Sequence, residues 1–192
     1  MINLGALPGK SVLIVWREPM KTVRFLSVLA IAALTVSTGL AQDFPKPGPE
    51  HEILKKMAGD WDFTMKMTGV ESKGKVTYKM ELGGMWLVSS LEGEIFGTKF
   101  YGKGLDSYDA KKKKYVSAWF DSMSSTPMVM EGTYDKEKKT LTLEGEGPGM
   151  DGKPTKQRSI SVMPDDDTIN FSLYMGDTKE PTFTIVYKRK KS

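Results

Sequence analysis

From Trp61 onward the chain alternates. Trp61, Phe63, Met65 and Met67 fall on one phase, and Asp62, Thr64, Lys66 and Thr68 on the other. A period of two is that of a strand with one buried face. The same alternation runs through Val76, Tyr78, Met80 and Leu82, through Ile169, Phe171, Leu173 and Met175, and through Phe183, Ile185 and Tyr187. Further strands are predicted near 85–96, 98–107, 114–123, 128–134, 140–146 and 156–163. One strand every roughly 8–12 residues is the signature of a sandwich or barrel.

The connections read as hairpin turns: "GVESKG", "YDAKKKK", "YDKEKK", "MPDDDT" and "GDTKE". Tyr108-Asp109 and Tyr134-Asp135 each close a strand and lead into lysines, 26 residues apart. That offset spans two strands of an up-and-down meander. Helical patterns of the length that links parallel strands do not separate the segments, so an α/β sheet is excluded. The predicted fold is all-β: an antiparallel up-and-down β-barrel of about 8–10 strands, closed because closure removes the edges.

Ahead of the first strand the period is helical. Ile53, Leu54 and Met57 make one apolar face, with Glu50 and Glu52 at the positive end and Lys55 and Lys56 at the negative end. Gly48 suits the cap, Pro49 the first helical position, and Gly59 the C-terminal cap. A short N-terminal plug helix is expected here, after a Pro-rich lead-in over residues 42–49.

The first 41 residues have a different character. Lys21 and Arg24 precede the apolar run "FLSVLAIAALTV", and Gly39 and Ala41 form a small-x-small site before Gln42. This is the pattern of a secretory signal peptide, expected over residues 20–41. The apolar run falls short of the roughly 20 residues of a membrane span. Residues 1–19 precede a leader that is complete from Met20, so translation is expected to start at Met20 and the upstream stretch to be a mis-annotated extension. A single barrel domain should occupy 50–192, with a periplasmic or secreted destination.

Charge and cysteine content narrow the chemistry. The leader takes four of the 28 Lys+Arg and one of the 24 Asp+Glu, leaving 24 against 23 and a net charge of +1. Nucleic acid loses its electrostatic support as a partner. With no cysteine, disulfides, thiolate chemistry and a lipidated anchor are excluded.

The Gly59-x-Trp61 triplet after a short helix, followed by an antiparallel meander, resembles the calycin pattern of lipocalins. The segments "PGPEHEILKKMAGDW", "GGMWLVSSLEGE", "SAWFDSM", "MEGTYDKEKKTLTLEGEGPGM" and the final "YKRK" are similar to the bacterial family called domain of unknown function 1579 (DUF1579), from about residue 47 to 190. The resemblance implies a lipocalin-like barrel, often exported, with no established activity or catalytic residues. It also implies a structural closure in which Gly59 opens the strand, Trp61 seals one end and a basic side chain of the last strand lies across its ring. Arg189, in phase with Tyr187 and Ile185, is the expected partner, in a cation–π contact of ~0.5–2 kcal/mol.

Candidate chemistry is sparse. His51 is the one histidine, so it cannot build a multi-histidine zinc site. A single histidine can hold haem, but the related nitrobindin-type barrels place theirs near the C-terminus, where this chain has "FTIVYKRK". His51 reads as a capping or surface-packed residue of the plug, and neither cofactor nor metal is expected. "SAWFDSMSSTPMVM" is more suggestive: Trp119, Asp121 and Met123 share one phase, and Met128 and Met130 share a face of the next strand. Together with Trp86 these are the expected lining of a pocket for a small apolar or amphipathic molecule. A packed interior is the alternative. Glu92 and Glu94 share the phase of Trp86, so a hydrolase using Glu92 and Asp121 is a second reading. An envelope scaffold with a filled core is a third. No Gly-x-Ser-x-Gly elbow or phosphate loop occurs, and the lysine runs read as solvated turns. The molecule is expected to be a monomer or homodimer.

Overall fold

The computed structural model describes residues 44–191. The leader expected at 20–41, the upstream stretch 1–19 and the first residues of the lead-in lie outside the described residues. A 3-10 turn over Pro49–His51 runs into helix α1 (Glu52–Met57), and Gly48 is the cap with Pro49 at the first position. Ten antiparallel strands follow among the described residues: β1 (Gly59–Met67), β2 (Val70–Glu81), β3 (Trp86–Ile95), β4 (Thr98–Asp109), β5 (Lys114–Asp121), β6 (Ser124–Asp135), β7 (Thr140–Pro148), β8 (Pro154–Asp165), β9 (Thr168–Met175) and β10 (Phe183–Arg189). Each pairs with its sequence neighbours, and β1 pairs with β10, so the ring is closed.

The alternation sets which side chains enter the barrel. Trp61, Phe63 and Met65 are buried, as are Val76, Leu87, Leu91, Leu141, Leu143, Ile169, Leu173, Ile185 and Tyr187. The outer wall carries Lys75, Glu92, Lys103 and Glu131, where a membrane-spanning barrel carries apolar side chains. No helix among the described residues is long and apolar enough to cross a membrane. One position of the predicted alternation fails: Leu82 does not continue the inward row of Val76, Tyr78 and Met80. The strand stops at Glu81, and Leu82 enters a 3-10 turn at φ 50° with its side chain 71 % exposed.

The two Tyr-Asp turns are the same device. The Asp109 carboxylate accepts from the Lys111 and Lys112 amides at 2.9 and 3.0 Å, and the Asp135 carboxylate from those of Glu137 and Lys138 at 3.0 Å. Four residues on, Lys113 and Lys139 take positive φ of 55° and 49°. An Asx turn of this kind reverses the chain without help from tertiary packing. The lysines that follow are not all simply solvated: Lys112 and Lys114 reach Glu131 at 2.8 and 2.5 Å and hold its carboxyl down at about 2.

Helix α1 plugs the end of the barrel where these turns lie. Leu54 is 1 % exposed, and Ile53 and Met57 are also buried. Tyr115 donates its hydroxyl to the Glu50 carbonyl at 2.8 Å and stacks edge-on with Tyr108 (5.2 Å) and Tyr134 (6.4 Å), tying the 3-10 turn to the floor. Burial pushes the Tyr115 hydroxyl up to about 12. His51 is buried rather than on the surface, at 3 % exposure. Its Nδ1 accepts the Gly48 amide at 3.1 Å and its ring meets Tyr108 edge-on at 6.3 Å. Among the described residues Nε2, on the other side of the ring, has no hydrogen-bond partner.

Arg189 latches the plug. Its guanidinium carbon lies 4.1 Å from the centre of the Trp61 ring. Nη1 and Nη2 donate to the carbonyls of Ala58 and Lys56 at 2.7 and 2.5 Å, and Nε donates to that of Asp166 at 2.8 Å. The helix C-terminus therefore meets a cation that satisfies its free carbonyls. Trp61 Nε1 donates to the Met57 carbonyl at 2.9 Å. Gly59 does not serve as the left-handed helix cap expected from the sequence. Its φ is 132°, Ala58 takes the C-cap, and a Cβ on Gly59 would strike Arg189 Nη1 at 2.6 Å. Glycine is required there so that the guanidinium can pass.

Candidate functional site: the barrel interior

The ten strands enclose a cavity of about 300 Å³ above the plug. Its floor is Leu54 and Met57 of α1. Its mouth lies at the opposite end, among the hairpins that join β3 to β4, β5 to β6 and β7 to β8. Phe96, Met123 and Met150 sit on those three hairpins, line the cavity, and are 56 %, 66 % and 73 % exposed. The wall between floor and mouth is apolar and soft. Among the described residues eight methionines line the cavity from floor to mouth: Met57, Met65, Met67, Met123, Met128, Met130, Met150 and Met175. Unbranched thioether side chains adapt to irregular shapes at low rotamer cost.

Five of the six residues expected to line a pocket are there: Trp119, Asp121, Met123, Met128 and Met130. Met123 lies in the β5–β6 turn at the rim rather than on the strand face with Trp119, because β5 ends at Asp121. Trp86 is not in the lining. On β3 the buried phase is Leu87, Ser89 and Leu91, so Trp86, Val88 and Ser90 face outward. Glu92 and Glu94 share that outward phase, and Glu92 is 2.5 Å from Lys75 Nζ on the outer wall.

Local backbone explains how Trp119 comes to lie in the cavity. Gly102 and Gly104 face it from β4, and a Cβ on Gly102 would collide with the indole. The absence of two side chains there makes the bed for the ring. Asp121 then fixes it, accepting from Trp119 Nε1 at 2.9 Å and from the Met123 amide at 2.8 Å.

Polar groups inside the barrel form a second set that the sequence reading missed. Asp106 lies on the inward phase of β4 with Phe100, Gly102, Gly104 and Tyr108, three residues from the plugged end. Burial pushes its carboxyl up from 3.8 to about 6, opposed by a hydrogen bond with Ser117. Tyr78 and Tyr187 share a hydrogen bond nearby, and burial, together with the Asp106 charge, holds both hydroxyls well above their ordinary value. Ser89, Thr126, Gln157, Ser159 and Ser161 also belong to the polar lining. Among the described residues the lining contains two carboxylates and no lysine, arginine or histidine. The signal for Asp106 is present in "FYGKGLDSYD", but two glycines on the inward phase leave the alternation without apolar contrast.

A closed antiparallel barrel with one end plugged, the other open and a lined interior defines the class of this molecule. The chain belongs to the family described as "Protein of unknown function (DUF1579)", whose sequence profile matches residues 46–189. No curated protein matches it. Twelve chains of solved structures do. One is a redesigned beta barrel, 14 % identical, with 72 % of this chain and 96 % of that chain covered at a TM-score of 0.41.

Proposed function

We propose that the domain is an exported lipocalin-like barrel that holds a small apolar or amphipathic molecule in its interior. The observation that carries this reading is the 300 Å³ cavity, sealed below by α1 and open through an apolar mouth. Its volume is at the lower end of the range for small-molecule sites and has room for on the order of ten non-hydrogen atoms. A wall rich in methionine suits a ligand of loosely specified shape. Exposed Phe96, Met123 and Met150 at the mouth offer an apolar path from solvent to the interior. A filled scaffold would have no use for either feature. The calycin likeness rests on the plug helix, Gly59-x-Trp61 and the Arg189 latch. The leader read at residues 20–41 would deliver the domain to the periplasm or beyond, as a monomer or homodimer.

Native mass spectrometry of the protein purified from its own source tests the reading. A reproducible small-molecule adduct is expected, and it should be lost in Ser159→Phe, which fills the interior from a buried lining position. A clean unliganded mass, with no adduct after incubation with a range of amphiphiles, would refute it.

A further inference from the structure

Resting on the ligand-binding reading, the geometry points to a ligand whose buried end is a cationic amine, taken head-first to Asp106 with its apolar tail toward the mouth. The charge content of the interior is one-sided. Asp106 and Asp121 are the ionisable acids of the lining, and no base accompanies them among the described residues. A cavity made for a fatty carboxylate needs a cation inside, and this one offers a carboxylate at the same depth. A second anion beside Asp106 is repelled.

The two carboxylates are not equivalent. Asp121 is already committed to Trp119 Nε1 and the Met123 amide at the mouth. Asp106 bonds to Ser117, and among the described residues no lysine, arginine or histidine joins it in the lining. It also keeps partial exposure although it lies inside a closed wall near the plugged end, so the surface it leaves open faces the cavity. An uncompensated carboxylate in an apolar enclosure is costly unless a donor meets it. A primary ammonium brings three donors and a positive charge. Gln157, also in the lining, repeats the bias: its Nε2 donates to the Pro148 carbonyl at 2.9 Å, and its buried Oε1 has no partner among the described residues. What the lining lacks, among the described residues, is a cationic donor. The methionine wall between Asp106 and the mouth then takes the alkyl portion.

Three probes of one chain length separate the possibilities: n-octylamine, 1-octanol and octanoate, near the size the cavity admits. Binding is measured by calorimetry and by the fluorescence of Trp119. At pH 8 the amine should bind at least about tenfold more tightly than the alcohol, and octanoate should bind least. Asp106→Asn should bring the amine and alcohol within about twofold of each other, with folding verified by circular dichroism. The native protein gives a second readout that needs no variant. Octylamine keeps its charge from pH 8 to pH 5, whereas Asp106 takes up a proton near pH 6. Tyr78 and Tyr187, the titratable groups facing it, stay neutral throughout. The affinity for the amine should therefore fall by up to about tenfold at pH 5 and that for the alcohol should stay level. Equal affinities for the three probes, or octanoate binding tightest, would overturn the amine assignment and leave the amphiphile reading standing. Failure of all three to bind would sink both.

Discussion

Asp106→Asn should make the protein more stable at neutral pH and leave it nearly unchanged in acid. The amide keeps the size of the carboxyl and can still bond to Ser117, but it cannot ionise. Burial raises the native carboxyl from 3.8 to about 6. At about 1.36 kcal/mol per pH unit, ionising it costs the fold up to about 3 kcal/mol. Water inside the cavity lowers that figure, so it is a ceiling. The sign follows from proton binding. Between about pH 4 and pH 6 the native state holds this proton and the unfolded chain releases it, so stability falls as pH rises through that window. The favourable contribution is complete below about pH 4 and gone above about pH 7. Glu131, held down at about 2 by Lys112 and Lys114, works in the opposite direction: its contribution is lost as pH falls. It is common to both proteins and cancels in their difference. Urea unfolding followed by circular dichroism at pH 4 and pH 7.5 gives the test. The stability gap between variant and native protein should widen by up to about 3 kcal/mol at the higher pH. At roughly 2–4 °C per kcal/mol, the melting temperature should move by up to about 6–12 °C. A gap that does not change with pH, or that narrows as pH rises, would refute the placement of Asp106 as an uncompensated buried acid.

Three further outcomes can be checked. Arg189→Ala removes the Trp61 contact and the donors to Ala58, Lys56 and Asp166, and should cost roughly 3 kcal/mol or more by urea unfolding; Arg189→Lys, which keeps charge but not the fork, should recover only part of it. Gly102→Val places methyl groups where the Trp119 ring lies, so it should cost about 1–3 kcal/mol and shift the emission of that tryptophan, whereas the same change at Gly69, which has open space but positive φ, should leave the emission alone. Asp109→Ala and Asp135→Ala remove the same pair of turn bonds and should each lower stability by about 1 kcal/mol, equal within error in thermal melts.

Much of the wall was legible in the sequence because a strand with one buried face writes its orientation residue by residue. Trp61, Phe63 and Met65 could be assigned inward without knowing what they touch. The paired Tyr-Asp turns were legible for a related reason: an Asx turn is local, and its bonds span two or three residues. The lining of the mouth at Trp119, Asp121, Met128 and Met130 followed from the same phase argument. Trp86 lies on the other phase, and both phases of "MWLVSSL" carry large apolar side chains. The choice between them is made by the positive-φ run Leu82, Gly83 and Gly84, which ends β2 and resets the phase so that Leu87 enters the core at 0 % exposure. Asp106 escaped for the opposite reason, since its inward neighbours are glycines that look like nothing in a hydrophobic pattern. Those positions are glycine where the Trp119 ring lies over them, a contact between two strands that no single-strand pattern contains.

The Arg189 latch also sets an order of events during synthesis. The plug helix is made well before the residue that pins it, which comes 131 positions after the carbonyl of Ala58 that it holds. The seam between β1 and β10 joins residues almost as far apart, from Trp61 with Arg189 to Met67 with Phe183. Until residue 189 has emerged, the growing chain has an open sheet, an unlatched helix and the apolar row of β1 facing solvent. Contacts between such distant residues form slowly, and exposed strand edges invite pairing with other chains while they wait. The nascent protein therefore has its greatest exposure to aggregation just before β10 and Arg189 are added, and a chain cut back before β10 would be held in that state.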